Sequence, residues 1–134
     1  MSYSATFKRG GKTSTIMNFS YSFSKMVDDK GRPSSRVSSA IFTITIDSGG
    51  PHKGDMIKWL SMDSAAMKGE DIEIQIADDD MKIEGFKKIK LQNTHIISYD
   101  EQFYDGSNMS ETFSISAEKV TVENAEFDFK WPKT

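Results

Sequence analysis

Alternation of apolar and polar side chains is the feature that most constrains the fold of this chain. Residues 71–76 read Asp-Ile-Glu-Ile-Gln-Ile, which places three isoleucines on one face and three polar residues on the other. In residues 40–46, apolar side chains alternate in the same way with Thr43 and Thr45. Successive side chains of a β-strand point to opposite faces, whereas a helix repeats every 3.6 residues. The dominant elements are therefore half-buried strands.

Eight segments follow this pattern, and we predict that each is a strand. Gly10 and Gly11 separate the first two by a dipeptide suited to a tight hairpin turn. We expect further turns at residues 78–80 and 93–94. The phase of the alternation shifts near Gly85, which predicts a bulge or a bend. The predicted strands cover residues 3–8, 12–26, 37–47, 71–76, 82–92, 95–103, 112–122 and 127–131.

One segment has helical spacing instead. Between residues 55 and 67 the apolar side chains are Met56, Trp59, Leu60 and Met67. We expect Asp55 to cap the helix through its carboxylate and Gly69 to mark its end. Trp59 and Leu60 are the candidate anchors of the helix to the sheet.

These elements predict a single domain over residues 1–134. Its class is mainly β, a small β-barrel or sandwich with one flanking α-helix. A chain of 134 residues can bury a sufficient core without disulfides, and it contains no cysteine.

Charge and hydropathy disfavour two partners, nucleic acid and the membrane interior. The net charge is −3 and the lysines are scattered, which argues against a nucleic-acid-binding patch. No stretch approaches the roughly 20 apolar residues that span a bilayer. Residues 1–10 lack the apolar segment of a signal peptide, so we expect folding in the cytoplasm.

The sequence contains no complete catalytic or metal-binding motif. The two histidines, His52 and His95, lie in different predicted elements, and no Gly-x-Ser-x-Gly motif is present. The Gly-Gly-Lys-Thr run at 10–13 lacks the first glycine of a phosphate loop, because that position is Thr6. The three aspartates at 78–80 do not continue into a calcium loop. We therefore expect a protein that is not an enzyme and that holds no metal or cofactor.

A long polar segment remains. Residues 27–36 read VDDKGRPSSR, in which Gly31 and Pro33 interrupt regular structure. A connection of this length between two strands is unusual for a hairpin. From the residues alone, a mobile tip and a contact arm are equally good interpretations.

Three stretches together resemble a known family. They are GRPSS at 31–35 followed by AIFTITI at 40–46, the helical IKWL at 57–60, and SETFSISAEK at 110–119 leading to the Trp-Pro pair at 131–132. Their order and the chain length are similar to those of the Hcp-like (TssD) tube proteins of the bacterial type VI secretion system, in the branch found in Bacteroidota.

The resemblance implies a compact β-barrel of two sheets with a flanking helix, as in phage tail-tube proteins. It implies homo-hexameric rings that stack into a hollow tube, which a contractile sheath propels. Expected partners are a VgrG-type spike, sheath and baseplate proteins, and effector cargo, with no nucleic acid and no membrane insertion. The tube would assemble in the cytoplasm and leave through the type VI apparatus without a signal peptide.

The resemblance also favours the contact arm. It implies that the residues of this segment touch a neighbouring subunit or ring. The candidate contact residues are Asp28, Asp29, Lys30, Arg32, Pro33, Ser34, Ser35 and Arg36. The remaining alternatives are the tube of a phage-like contractile injection particle, a small-ligand β-barrel, and a secreted effector enzyme.

Overall fold

The computed structural model describes residues 3–37, 39–64, 66–78, 87–106 and 109–131. It contains seven strands and one helix within those residues. The strands are β1 (Tyr3–Arg9), β2 (Lys12–Phe23), β3 (Ala40–Asp47), β4 (Ile72–Asp78), β5 (Lys87–Gln102), β6 (Ser110–Val122) and β7 (Ala125–Asp128), and the helix α1 (Asp55–Met62) lies between β3 and β4.

Six antiparallel strands close into a barrel. The sheet runs β3-β2-β1-β4-β5-β6, and β3 also pairs with β6, which closes it. β7 extends the sheet by pairing with the end of β6. The predicted β-barrel with one flanking helix is confirmed, but its strands form one continuous closed sheet and not the two sheets that the resemblance implies.

Two local features shape the barrel. Gly10 and Gly11 have φ angles of 62° and 79°, the left-handed conformation that a two-residue hairpin turn requires and that glycine adopts without strain. The register shifts at Met17 in β2 and at Ile97 in β5. An extra residue on one strand bends it and increases its twist, which helps a small sheet to close.

The buried side chains are those that the alternation predicts to face the core. Phe42, Ile44 and Ile46 are buried, as are Phe113 and Ile115 opposite them. The phase of β6 changes after Ala117, so that Val120 is again buried. The largest fully buried side chains fill the barrel and include Phe7, Phe42, Phe113, Ile44, Ile74, Ile89 and Leu91. A filled interior does not support the small-ligand alternative.

The expected turn at residues 93–94 is wrong, because β5 continues through it. Asn93 has a φ of 54°, a left-handed conformation that asparagine tolerates. Its side-chain amide donates to Glu118 Oε1 at 3.0 Å and its Oδ1 accepts the amide of Gly69 at 2.6 Å. These bonds hold a kink in the strand without reversing its direction.

The helix begins at Asp55 as the sequence indicates, but its predicted cap and its predicted end are wrong. The N-cap is Gly54, with no side-chain cap, and Asp55 instead contacts Lys12 Nζ at 3.1 Å. The helix ends at Met62, seven residues before Gly69, because Asp63 turns to accept the Nδ1–H of His95 at 2.9 Å. Gly69 does not end the helix, but the fold excludes a side chain at this position. A Cβ there would lie 2.0 Å from the carbonyl oxygen of Thr94.

The remaining expectations concern strand ends, the segment before β5 and membrane-spanning helices. β2 ends at Phe23 and β3 begins at Ala40, so both strands are shorter than predicted. Asp78, the first residue of the turn expected at 78–80, is the last residue of β4. The rest of that turn, the break at Gly85 and the first part of the strand predicted at 82–92 lie outside the described residues. Within the described part, no helix is long and apolar enough to cross a membrane.

Candidate assembly surfaces

The arm (residues 28–36) is a small ordered hairpin between β2 and β3. Asp28 organises it, since its Oδ1 accepts the amides of Lys30 and Arg32, each at 2.9 Å. Its Oδ2 pairs with Arg32 Nε at 2.8 Å. The amide and the guanidinium of Arg32 both donate to the Asp28 carboxylate, and these bonds hold its pKa below the ordinary value. The arm is therefore held in one shape by its own residues.

The base of the arm closes by backbone pairing. Val27 and Pro33 form an isolated antiparallel bridge, and the amide of Ser34 donates to Met26 O at 2.7 Å. The hydroxyl of Ser35 accepts the amide of Met26 at 2.9 Å. These bonds close the segment into a hairpin and favour a contact arm over a mobile tip.

The candidate contact residues occupy different positions in this hairpin. Asp28 and Ser35 are half-buried and bond within the arm. The others present their side chains to solvent: Asp29, Lys30, Arg32, Pro33, Ser34 and Arg36. Their role in contacts between subunits stays a prediction.

The helix rests on the barrel through two side chains. Met56 is fully buried and Trp59 is 7% exposed, while Leu60 is 37% exposed. Leu60 therefore lies on the solvent side and not at its predicted anchor position, and Met56 packs against the barrel instead. The guanidinium of Arg9 lies 3.9 Å above the Trp59 ring, an attractive cation–π arrangement. Burial lowers the pKa of Arg9.

Two walls of the barrel differ in chemistry. The uncharged wall consists of residues 13–23 of β2, 40–46 of β3 and 112–117 of β6, which contain no Asp, Glu, Lys or Arg. Hydroxyls on neighbouring strands bond to each other, Thr43 to Ser114 at 3.2 Å and Thr45 to Thr112 at 2.8 Å. Its outward hydroxyl side chains are Thr13, Thr15, Ser20, Ser22, Thr43, Thr45, Thr112, Ser114 and Ser116.

The charged wall lies across the barrel, on β1, β4 and the first half of β5. Lys8, Glu73 and Lys90 are register partners on these three neighbouring strands. Lys88 Nζ approaches Glu73 Oε1 at 3.3 Å, and the Gln75 amide donates to the same oxygen at 2.6 Å. The bonds from Gln75 and Lys88 hold the pKa of Glu73 below its ordinary value.

Both histidines take part in structural contacts. His52 Nε2 donates to the carbonyl of Arg9 at 3.0 Å, and Nδ1 lies 2.5 Å from the hydroxyl of Ser14. A serine–histidine contact is one element of nucleophilic catalysis, but Ser14 and His52 are 3% and 1% exposed, which leaves a substrate no access. Among the described residues no cluster of three or more His, Cys, Asp or Glu could hold a metal ion.

Sequence reasoning missed three of these features. The uncharged wall depends on β3 pairing with β6, and local alternation does not show which strands meet. The stacking of Arg9 on Trp59 joins residues 50 positions apart. The internal bonds of the arm had a local signal, because aspartate and asparagine side chains readily accept backbone amides two residues ahead.

Comparison with known proteins agrees with this architecture. A profile of the family described as hemolysin coregulated protein Hcp (TssD) matches residues 1–132. Hcp1 from Flavobacterium johnsoniae superposes with a TM-score of 0.78 at 26% identity, covering 93% of this chain and 98% of that one. No protein with a curated description matches the sequence significantly.

More distant structures share the fold. Hcp1 from Salmonella typhimurium gives a TM-score of 0.66 at 13% identity, with 97% of each chain covered. A chain of the sheath-tube complex of the extracellular contractile injection system PVC gives 0.60 at 15% identity, covering 92% of this chain and 88% of that one. Hcp proteins are structural tube components secreted by the type VI system. With its match over nearly the whole chain, this protein belongs to the Hcp (TssD) family and is a tube subunit of a type VI secretion system.

Proposed function

We propose that six copies of this chain form a ring in which the uncharged wall faces the lumen and the charged wall faces outward. Rings stack into a tube that assembles in the cytoplasm, meets a VgrG-type spike at its tip, lies inside a contractile sheath and carries effector cargo. The observation that carries the orientation is the contrast between the two walls. Residues 13–23, 40–46 and 112–117 carry no charge, whereas the opposite wall alternates Lys8, Glu73 and Lys90.

The lumen of a secretion tube must let proteins of different charge pass. A narrow channel with charged walls would hold cargo of opposite charge and repel cargo of like charge, because electrostatic interactions strengthen where water is confined. Hydroxyl groups satisfy each other across the strands, as Thr43 and Ser114 do, and still exchange hydrogen bonds with a passing surface. The uncharged wall can therefore pass proteins of different charge without binding them tightly.

The charged wall suits the outside of the ring, where exposed charges meet water and the sheath. Lys8, Glu73 and Lys90 form a row of alternating sign across three strands. Exposed charges of mixed sign favour solubility and orient an approaching partner, here the sheath, more than they add affinity. Ion pairs of this kind contribute little to the stability of the barrel itself.

Labelling of single engineered cysteines tests this orientation. The chain contains no cysteine, so Ser20→Cys on the uncharged wall and Lys90→Cys on the charged wall each give one attachment point. A maleimide gold cluster on Ser20→Cys should appear at the centre of the ring in electron micrographs. The same cluster on Lys90→Cys, the matched control, should appear at the rim.

Three outcomes are distinguishable. Label from Ser20→Cys at the rim would reverse the orientation. Loss of rings only after labelling at position 20 would place the uncharged wall between subunits. A mass that never approaches six times 15.1 kDa in the parent protein, at any concentration tested, would contradict the hexamer itself.

A further inference from the structure

A buried carboxyl group lies at the barrel end where β5 leads to β6. Glu111 is the second residue of β6 and is 2% exposed, because its side chain faces the barrel interior. Its Oε2 accepts the hydroxyl of Tyr99 at 2.9 Å, whereas its Oε1 is buried with no hydrogen-bond partner among the described residues. A charged carboxylate here has one oxygen with neither water nor a donor, which costs free energy.

The charges around Glu111 have its own sign. Glu101 is its register partner on β5, and side chains that are directly opposed on neighbouring strands have Cβ atoms about 5 Å apart. The other groups that face it are Tyr99 on β5, Ser48 after β3 and Asp55 on α1, and none of them is a cation. Burial raises the pKa of Glu111, and the charge of Glu101 raises it further.

Glu111 is the group in this cluster that changes charge. Burial and the bond to Glu111 raise the pKa of the Tyr99 hydroxyl, so Tyr99 remains a donor throughout the range in which carboxyl groups titrate. The charge of Asp55 is offset in part by Lys12, whose Nζ lies 3.1 Å from it. No such partner offsets the charge that Glu111 acquires when it loses its proton.

The loop between β3 and α1, residues 48–54, is fastened to the barrel at two places. His52 is 1% exposed and anchors the second half of the loop through both ring nitrogens. In the first half, the amide of Ser48 donates to the carbonyl of Met109 at 3.1 Å. The Ser48 hydroxyl is buried close to Glu111, and it too has no hydrogen-bond partner among the described residues. The Ser48 attachment therefore lies against the group that changes charge.

We propose that Glu111 is a proton-operated latch that closes the loop 48–54 against the start of β6. With a proton on Oε1, Glu111 is neutral and can donate to the hydroxyl of Ser48. When Glu111 loses that proton to water, a buried charge faces Glu101, and Ser48 separates from β6 while His52 holds the rest of the loop. This inference goes beyond the proposed function and does not depend on how the subunit is oriented in a ring.

The direction of the response follows from the raised pKa. A group whose folded-state pKa lies above its ordinary value of 4.5 stabilises the closed state fully below that pH. This stabilisation is lost as pH rises through the raised pKa, and within that range each pH unit favours opening by about tenfold. Because Hcp proteins are secreted, a subunit meets more than one compartment, and the latch couples this barrel end to their pH.

Hydrogen exchange at several pH values tests the latch on the intact protein. Mass spectrometry follows peptides that contain residues 48–54 and 109–111, with rates corrected for the intrinsic effect of pH on exchange. We expect the corrected rates to rise by about tenfold per pH unit above about pH 4.5 until Glu111 is fully charged. Residues 41–45, in the centre of β3, report unfolding of the whole barrel, which also frees Glu111. Local opening should keep the first two segments at least about tenfold faster than residues 41–45.

Three variants assign the effect to the carboxyl pair. Glu111→Gln has an amide that can accept from Tyr99 and donate to Ser48 without a titratable proton, and it should remove the rise. Glu101→Gln removes the opposed charge and should lower the pH at which the rise ends by roughly one unit. The matched control is Asp100→Asn, which removes the same charge from the adjacent, exposed position of β5 and should leave the profile unchanged.

Each outcome decides the inference. A rise that disappears in Glu111→Gln, shifts in Glu101→Gln and is unchanged in Asp100→Asn supports the latch. A flat profile in the parent protein, a rise that persists in Glu111→Gln, or equal rates in residues 48–54 and 41–45 overturns it. If Glu111→Gln does not fold, Glu101→Gln decides: a shifted profile supports the latch and an unshifted one overturns it. Absence of rings contradicts the proposed function and leaves these measurements unaffected.

Discussion

Truncation of Trp59 should destabilise the barrel strongly. Trp59 is 7% exposed, and its ring carries the guanidinium of Arg9 at 3.9 Å. Replacing a buried tryptophan by alanine removes its transfer free energy and leaves a cavity, which costs about 3–5 kcal/mol. Loss of the cation–π contact adds about 0.5–1 kcal/mol. We expect Trp59→Ala to lower the free energy of unfolding by about 4 kcal/mol.

The expected change in melting temperature follows from the size of the chain. For a domain between 100 and 150 residues, 1 kcal/mol corresponds to roughly 3–5 °C. Trp59→Ala should therefore melt roughly 10–20 °C below the parent protein in a thermal scan monitored by circular dichroism. Because association stabilises the folded state, both proteins are compared at the same concentration.

Leu60→Ala is the matched control. It removes a large side chain from the same helix without removing one that is buried against the barrel. Leu60 is the next residue of α1 but is 37% exposed, and Leu60→Ala should cost about 1 kcal/mol or less. Equal melting temperatures for Trp59→Ala and the parent would refute the anchor. A large loss in Leu60→Ala would show that the solvent side of the helix is covered in the assembled ring.

Three further predictions concern single positions. Gly69→Ala should destabilise the fold by more than about 2 kcal/mol in urea unfolding, because its Cβ would overlap the carbonyl oxygen of Thr94; an unchanged midpoint would refute the close approach. Asp28→Ala should leave the melting curve unchanged and increase proteolysis near Lys30, since the carboxylate organises only the arm; protection equal to the parent would refute that role. Burial raises the pKa of Glu111, so the folded state disfavours its charged form, and stability should fall as pH rises from about 4.5 through the raised pKa; Glu111→Gln should remove that fall in unfolding experiments at several pH values.

The strands and the core faces were predictable because they depend on local alternation. Phe42, Ile44 and Ile46 are buried as their spacing predicts, and the glycine pair at 10–11 forms the expected turn. In each case the residues that decide the structure are neighbours in sequence. The closed barrel itself required the family resemblance, since the pairing of β3 with β6 joins residues about 70 positions apart.

The errors have a common physical cause. Apolar spacing predicts a helix that continues to Met67, but a contact from distant His95 to Asp63 ends it earlier. The sequence also predicts a turn at Asn93, where bonds to Gly69 and Glu118 keep the strand continuous. Tertiary hydrogen bonds overrode local preference at both places, and a single sequence does not show them.

The hydrogen bonds within the arm bear on the cost of the subunit contacts predicted for it. Fixing the backbone of a flexible segment costs about 1–2 kcal/mol per residue, and a disordered arm would meet that cost at every ring added. The bonds from Asp28 to Lys30 and Arg32 place most of this ordering in the folding of the subunit. A contact between subunits made by the arm, as the family resemblance predicts, would then need only its exposed charges. Such a contact would form with little reorganisation, would depend on salt, and would become strong only through repetition.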